Sequence, residues 1–529
     1  PGNPFRPEKS RALMCMYWVI VDWPQWLIQR SFAWPIFSIL RESIIHEIPG
    51  QLGAIMRMVL RIFFAEVGHS FDRGVLLPMP DGESIFVTGI FAGFLADLVG
   101  HKEMTNWKGH GGVLCCLECD NVIQFREPKE GQVAMNCSDA TKFKRRCNDD
   151  FWAIIDETRR NYYSMGITNF KNFQINSGIN YDPHGLLFDD GLRSVYQPAH
   201  HCIRDWMHTV GQDGIANTHI GQLMHAMDTK CGIKPGRLME FSDECHFPSN
   251  FGKLDKYAFS PGRLKSNSIT SFASTILTMI PVLYLFMEMY LADAMPEHFA
   301  AYTILAHIIG LLRMGPEDSM KHIENLRKLV GRHMEAMVEL YGDHVKPKAH
   351  HMFHVMDGME WLGKLLACFV TERKHREVKH AALHVFRHIE DTVLHSLVNK
   401  SFQQVIDGHD LYKATFLVRP QSLAVGGHIL HQASSVVCRV GLVSRKDMVI
   451  TDTGIVGRTI NFWKQSEIDD TIVVELDSYD CVNNDCRLRS LHRVQRVFVD
   501  CRSIVDTLIW VEDSPSIFRI AIPAALLYA

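Results

Sequence analysis

The chain has 529 residues, 47% apolar, 22% charged and 10% aromatic. That is a globular composition, which excludes a disordered, collagen-like or heptad-repeat chain and leaves room for roughly two to four domains. Lys and Arg number 55 against 59 Asp and Glu, a net charge of −4, so any binding to nucleic acid has to come from local basic patches rather than overall charge. The 14 Cys are scattered irregularly; they are too sparse for a disulfide scaffold and fit reduced thiols plus one metal site in a reducing compartment.

In chain order, the opening Pro1-Gly2-Asn3-Pro4-Phe5-Arg6-Pro7 has neither an initiating Met nor an apolar signal core, and reads as a fragment whose start lies upstream. From residue 13 to about 232, short apolar runs (16–21, 84–94) alternate with helical stretches (52–65) and Gly/Asn/Asp-rich loops, an α/β texture. Residues 266–290 are uncharged up to Glu288 and long enough to cross a bilayer, yet Pro281 interrupts them; a buried core helix is expected, and no membrane span. From about 269 to 418 apolar residues recur at three- and four-residue spacing, which predicts helices. Residues 419–433, with Pro420 and Gly426-Gly427, read as a linker. From 434 to 529, short β-branched runs between Asp/Asn/Gly turns predict a small all-β barrel or sandwich. There is no internal repeat.

The sharpest local signal is Cys116-Leu117-Glu118-Cys119, approached through Gly109, Gly111 and Gly112. Two thiolates on one tight turn can both reach a tetrahedral Zn²⁺, and glycines let the backbone turn. Alone it is half a site, equally readable as buried thiols or a redox pair. A second half is offered by Pro347-Lys348-Ala349-His350-His351-Met352-Phe353-His354, in which His350 and His354 are one helical turn apart. The competing reading is a His-rich surface helix, because nine of the 28 His lie between 341 and 400. Asp205 and His208, three residues apart, would share a helix face where the carboxylate fixes the imidazole or both approach a metal; the same spacing is common on solvated faces. Asp97 closes the apolar run 90–96, where a strand would deliver a carboxylate to a sheet edge. Glu372 is an acid among bases in Glu372-Arg373-Lys374-His375-Arg376. Such acids can hold Mg²⁺ for phosphoryl transfer, or be solvated charges, with Glu372 paired to Arg376. Lys142, Lys144, Arg145 and Arg146 read first as a solvated loop and second as phosphate contacts.

The order of these motifs resembles the RNase H-like DDE transposases, and within them the branch of the CACTA-type transposases and the V(D)J-recombinase catalytic subunit. It is also similar to transposase-like hypothetical proteins of dinoflagellates, in Asn3-Pro4-Phe5-Arg6-Pro7, Tyr17-Trp18, Asp22-Trp23-Pro24, Lys108-Gly109, Asp205-Trp206-Met207-His208, Pro347-Lys348-x-His350 and Glu372-Arg373-Lys374-His375-Arg376. The likeness covers roughly residues 1–400. It implies that Asp97 and Glu372 are the second and third acids for catalytic Mg²⁺. It further implies that Cys116, Cys119, His350 and His354 bind structural zinc, and that Asp205 and His208 lie near the active site. The first acid is expected upstream of Pro1; Asp22 is a doubtful substitute, since the family pattern puts its run on the second strand.

The fold so implied is an α/β RNase H-like core interrupted by an α-helical insertion and followed by the small C-terminal β domain. The boundaries are 1–230 (first part of the core), 231–340 (insertion), 341–418 (helical completion of the core), 419–433 (linker) and 434–529 (β domain). The function so implied is a transposase-like, DNA-binding protein of the nucleus or another reducing intracellular compartment, capable of Mg²⁺-dependent strand cleavage or transfer if its acids are complete. The alternative is an inactive, domesticated descendant serving as a zinc-stabilised DNA- or protein-binding module. A zinc hydrolase built on the His-rich segment is a weaker third reading, because it needs an open coordination position. Oligomeric state is left open.

Overall fold

The computed structural model describes residues 12–66, 70–79, 81–124, 126–265, 268–342, 345–383, 385, 388–407, 413–425, 428–465, 471–481, 487–489, 495–521 and 523–527. The Asn3-Pro4-Phe5-Arg6-Pro7 motif lies outside them. The chain divides into two compact units: Pro1–Trp23, Ile28–Thr209 and Lys346–Gln403 form one, and Pro24–Leu27, Val210–Val345 and Gln404–Ala529 the other.

In the first unit, strand Leu13–Tyr17 pairs antiparallel with Ile36–Arg41. Their apolar residues pack on helices Phe369–Ala382 and Ile389–Asp407, with Ile36, Ile39, Val378, Val393 and Leu397 buried between them. Strand Phe94–Ala96 pairs in parallel with Cys202–Arg204, a pairing that requires a long crossover. The crossover carries helices Leu98–Thr105, Asn148–Ser164 and Ile167–Ser177 together with the cysteine turn. Helix Pro347–Leu362 covers the parallel pair: a Cβ on Gly358 would stand 3.4 Å from Ile203, so the bare glycine lets helix and strand meet. The core beside them is built from Leu52, Leu60, Trp107, Phe151, Ile155, Leu187 and Tyr196. Among the described residues the strands of this unit form separate two-stranded sheets.

The second unit contains helices Ile215–Cys231, Pro235–Glu244, Ala273–Tyr290, Pro296–Leu312 and Ile323–Tyr341. Ala273–Tyr290 is long and apolar enough to cross a membrane. It runs unbroken through Pro281, and Ile276, Met279, Ile280, Leu283 and Phe286 are buried within the unit. Where the sequence predicts a small barrel or sandwich, the strands make a ten-stranded antiparallel sheet and a separate three-stranded one, and Val436 and Val443 of the smaller sheet share one buried core with Phe462 and Val474 of the larger. Among the described residues no pairing joins the outer strands, so the sheet does not close.

Residues 419–433, expected to be a linker, hold two strands, Gln421–Val425 and His428–Ala433, which pair with each other and continue into the sheet through Val456–Lys464. The physical reason is the period-two alternation of Leu423 and Val425 and of Ile429 with its polar neighbours around a Gly-Gly step, which is the pattern of a hairpin; Gly426 and Gly427 themselves lie outside the described residues. The sheet is fastened to the helical part of its own unit. His246 N–H donates to Trp510 O at 2.8 Å with the two rings stacked at 3.9 Å, Asn250 Nδ2 donates to Val440 O at 3.0 Å, and Ser249 N–H donates to Asp447 Oδ1 at 3.1 Å.

Candidate metal centre and acid cluster

The approach to the cysteine turn is built as its glycines suggest. A 3-10 turn over Gly109–Gly111 leads in, with Gly109 at φ +56°. Lys108 N–H and Val113 N–H donate to Gly178 O and Ile175 O, both at 2.8 Å. Residues 118–121 are then held against 142–146: Arg146 N–H donates to Glu118 O at 2.9 Å and Asp120 N–H to Lys144 O at 3.1 Å. Helix Pro347–Leu362 presents His350 and His354 to this turn.

Donor atoms of Cys116, Cys119, His350 and His354 all lie within 4.8 Å of one another, and all four residues are buried. Cys116 Sγ is 3.0 Å, Cys119 Sγ 3.6 Å and His350 Nε2 3.1 Å from His354 Nε2. A tetrahedral ion with bonds of about 2.0–2.3 Å separates its ligand atoms by roughly 3.3–3.8 Å; the Cys119 spacing falls in that range and the other two are slightly shorter, so the four donors close on one point and would part a little around an ion. Around them stands a supporting shell. Asp357 Oδ2 lies 2.9 Å from both His354 Nδ1 and Arg145 Nη2, while Arg145 Nη1 donates to Cys119 Sγ at 3.2 Å. A metal that displaces the Nε2 proton of His354 would leave Nδ1–H for Asp357. The His350 Nδ1 atom is buried without a protein partner.

Burial pushes the Cys116 thiol up to about 11 and pulls His350 down. At His354 burial also acts downward, but the nearby Cys116 and Glu118 charges outweigh it and raise the imidazole to about 9. Two thiols and two imidazoles converging out of water are costly unless an ion takes their lone pairs. The cluster can hold a metal ion such as zinc. A second donor set, Cys116, Glu118, His351 and His354, overlaps it, but both Glu118 oxygens are taken by Arg204, whose Nε and Nη2 each donate at 2.7 Å. Burial works against the Glu118 charge, and Arg204 nevertheless holds its carboxyl well below the ordinary range. Cys116, Cys119, His350 and His354 are therefore the better set, and four protein donors leave no open position of the kind a zinc hydrolase needs.

The acids lie at the end of the parallel pair. Because Ala96 is opposite Arg204, the next residues, Asp97 and Asp205, leave the same edge of adjacent strands. Gly93 makes this approach achievable: its φ is +144°, and a Cβ there would stand 2.9 Å from Ile203 Cγ1 and 3.0 Å from His201 O. Asp97 caps helix Leu98–Thr105, its Oδ1 accepting from Gly100 N–H at 2.6 Å. Asp205 is buried; its Oδ1 accepts from Met207 N–H at 3.2 Å and from Cys368 N–H at 3.0 Å, and its Oδ2 takes His208 N–H and Nδ1. Cys368 precedes helix Phe369–Ala382, so Asp205 pins the start of the helix that carries Glu372. Burial pulls His208 down, but the bond to Asp205 and the charges of Asp205, Asp97 and Glu372 raise it. Glu372 contacts His375 at 3.5 Å and not the Arg376 partner that the spacing suggests; that contact holds its carboxyl low.

Of the sequence candidates, the structure brings Cys116, Cys119, His350 and His354 together, and gathers Asp97, Asp205, His208 and Glu372 around one strand edge. Asp22 is exposed in a turn. Lys144 is a solvated base paired with Asp120, and Lys142 is exposed with Asp139 at 3.9 Å, while Arg145 and Arg146 turn in against the cysteine segment, Arg146 Nη2 donating to Cys119 O at 3.4 Å. Sequence reasoning missed Glu118, Arg204, Asp357 and Cys368. A signal existed for two of them, since Glu118 lies between the cysteines and Asp357 follows His354 by one helical turn; nothing local pointed to Arg204 or Cys368. The sequence matches no protein-family model and no curated protein.

Proposed function

We propose that the chain is a transposase-derived protein with an RNase H-like core of the DDE type, split by the helical segment 231–340, which acts on or binds DNA. The observation that carries this reading is the arrangement of the first unit. A cysteine pair meets two histidines from far along the chain beside a strand edge that carries Asp97 and Asp205, with the Glu372 helix fastened to that edge. The motif order of the resemblance calls for this juxtaposition, and composition alone does not. In this reading the ion at Cys116, Cys119, His350 and His354 is zinc, and it is structural.

Asp97 and Glu372 supply the carboxylate oxygens that Mg²⁺ takes. The cap bond of Asp97 uses Oδ1. Asp205 favours the charged form of His208 against the opposing effect of burial, and that charge would offset the mutual repulsion of the acids. A magnesium ion held by Asp97 and Glu372 would supply activation of a water or 3′-hydroxyl and neutralisation of charge on a phosphoryl group. The family pattern adds one more carboxylate to this pair, on its opening strand. A second reading, an inert DNA- or protein-binding descendant, is favoured by the net charge of −4 and by the engagement of Glu372 with His375.

The discriminating experiment is nicking of supercoiled plasmid in Mg²⁺ or Mn²⁺ by a chain extended upstream of Pro1. Activity abolished by Asp97→Asn supports the enzyme. Activity equal in both removes Asp97 from the chemistry, and DNA binding without nicking in either supports the inert module.

A further inference from the structure

Two clusters that the motifs describe separately are joined in the structure by one buried ion pair. Glu118 belongs to the turn that holds Cys116 and Cys119, and Arg204 ends the strand that delivers Asp205. Arg204 Nε and Nη2 donate to Glu118 Oε1 and Oε2, each at 2.7 Å, and the two side chains are 1% and 9% exposed. The Arg204 guanidinium also lies over the Trp107 ring at 5.2 Å. From Arg204 the path has two branches. The backbone register opposite Ala96 leads to Asp97. The following residue, Asp205, leads through its bond from Cys368 N–H to the helix of Glu372. Cys116 Sγ closes the other end, 3.4 Å from Glu118 Oε2.

A buried bidentate pair gains little net stability over apolar residues of the same volume, so its presence asks for another role, and fixing one arrangement is the best-attested one. Almost wholly desolvated and bidentate, it permits little sliding of the cysteine turn against the strand. We propose that Arg204, through Glu118, is a positioning residue that couples occupancy of the Cys/His metal centre to the placement of Asp97, Asp205 and the Glu372 helix. The metal-binding role of those acids rests on the function proposed above; the mechanical coupling does not.

The test uses the full chain and three measurements: zinc content by elemental analysis, Mn²⁺ binding by electron paramagnetic resonance, and amide exchange with and without a chelator. In the native chain, removing zinc should raise exchange at 94–97, 202–205 and 368–372 by about tenfold or more and weaken Mn²⁺ binding by a similar factor, the size expected when a metal site loses its supporting shell. The Glu118→Leu/Arg204→Met variant should keep its zinc but bind Mn²⁺ about tenfold more weakly, with zinc removal no longer moving exchange at 94–97 and 368–372. Arg204→Lys, which keeps the charge and loses the fork, should fall between, and it decides the matter if the double variant does not fold. Native-like Mn²⁺ binding and exchange in a zinc-loaded variant, or loss of protection spread over the whole chain on chelation, overturns the proposal. Absence of Mn²⁺ binding in the native chain defeats the acid-site reading alone, and exchange at the three segments then decides the coupling.

Discussion

His354 shows how one residue's surroundings choose its chemistry. Asp357 takes its Nδ1, Cys116, Cys119 and His350 surround its Nε2, and the ring is buried. An imidazole so held is a ligand in waiting, since its direction is fixed before any ion arrives. Elemental analysis should find one zinc per chain. Cys116→Ser combined with His354→Ala should lose it, because two remaining donors cannot complete a tetrahedron. Full retention of zinc in that variant would move the metal elsewhere. The neighbouring His351 has the same residue type and the same burial, yet Glu118, its companion in the alternative donor set, is already committed to Arg204. The identity of the side chain is not enough; what holds its partners decides.

The strand Phe94–Ala96 is three residues long and has few bonds of its own, so its position depends on what it touches. Gly93 fixes the entry. Its φ of +144° is accessible to glycine, and the space for a side chain is filled by Ile203 and the backbone of His201. Gly93→Ala should therefore destabilise the chain by about 1–3 kcal/mol through backbone strain and overpacking, seen as a lower denaturation midpoint. An unchanged or higher midpoint would mean that the strand can shift without cost. The same element explains why the acids were legible and their geometry was not. An apolar run ending in Asp97 is visible by eye, but its neighbour across the sheet lies beyond four intervening helices.

In the helical part of the second unit, three helices bury histidines against one another. His219 Nδ1 lies 3.0 Å from His333 Nε2, His298 Nδ1 lies 3.0 Å from Tyr341 Oη, and Lys230 Nζ is 2.8 Å from His298 Nε2, with the Tyr302 ring against His219. Burial pulls His219 well down, with the His333 and His298 charges adding to it, and burial takes His333 to about 4. Folded-state values below the ordinary 6.5 mean that the unfolded chain binds protons first as the medium turns acid. Stability from these groups is thus whole above about pH 6.5 and is lost as pH falls toward 4. Unfolding midpoints measured from pH 7.5 to 5 should drop for the native chain and drop less for His219→Gln/His333→Gln, whose amides do not titrate. Parallel profiles would assign the acid sensitivity to other buried histidines.

By itself the sequence determined the donors and their order along the chain: a cysteine pair on a glycine-led turn, two histidines at helical spacing, and acids at the end of an apolar run and at the start of a helix. These are local facts, carried by residue type and by periods of two and 3.6. It also held the hairpin at 421–433 in its alternation, which the Pro and Gly residues obscured by suggesting a linker. Only the tertiary structure decided that Glu118 and Arg204 are partners, that Asp97 and Asp205 share one edge, and that Glu372 faces His375. The first two depend on pairing between segments far apart in the chain, which no local pattern carries; the third is a contact within one helix turn, where His375 and Arg376 compete for the same acid.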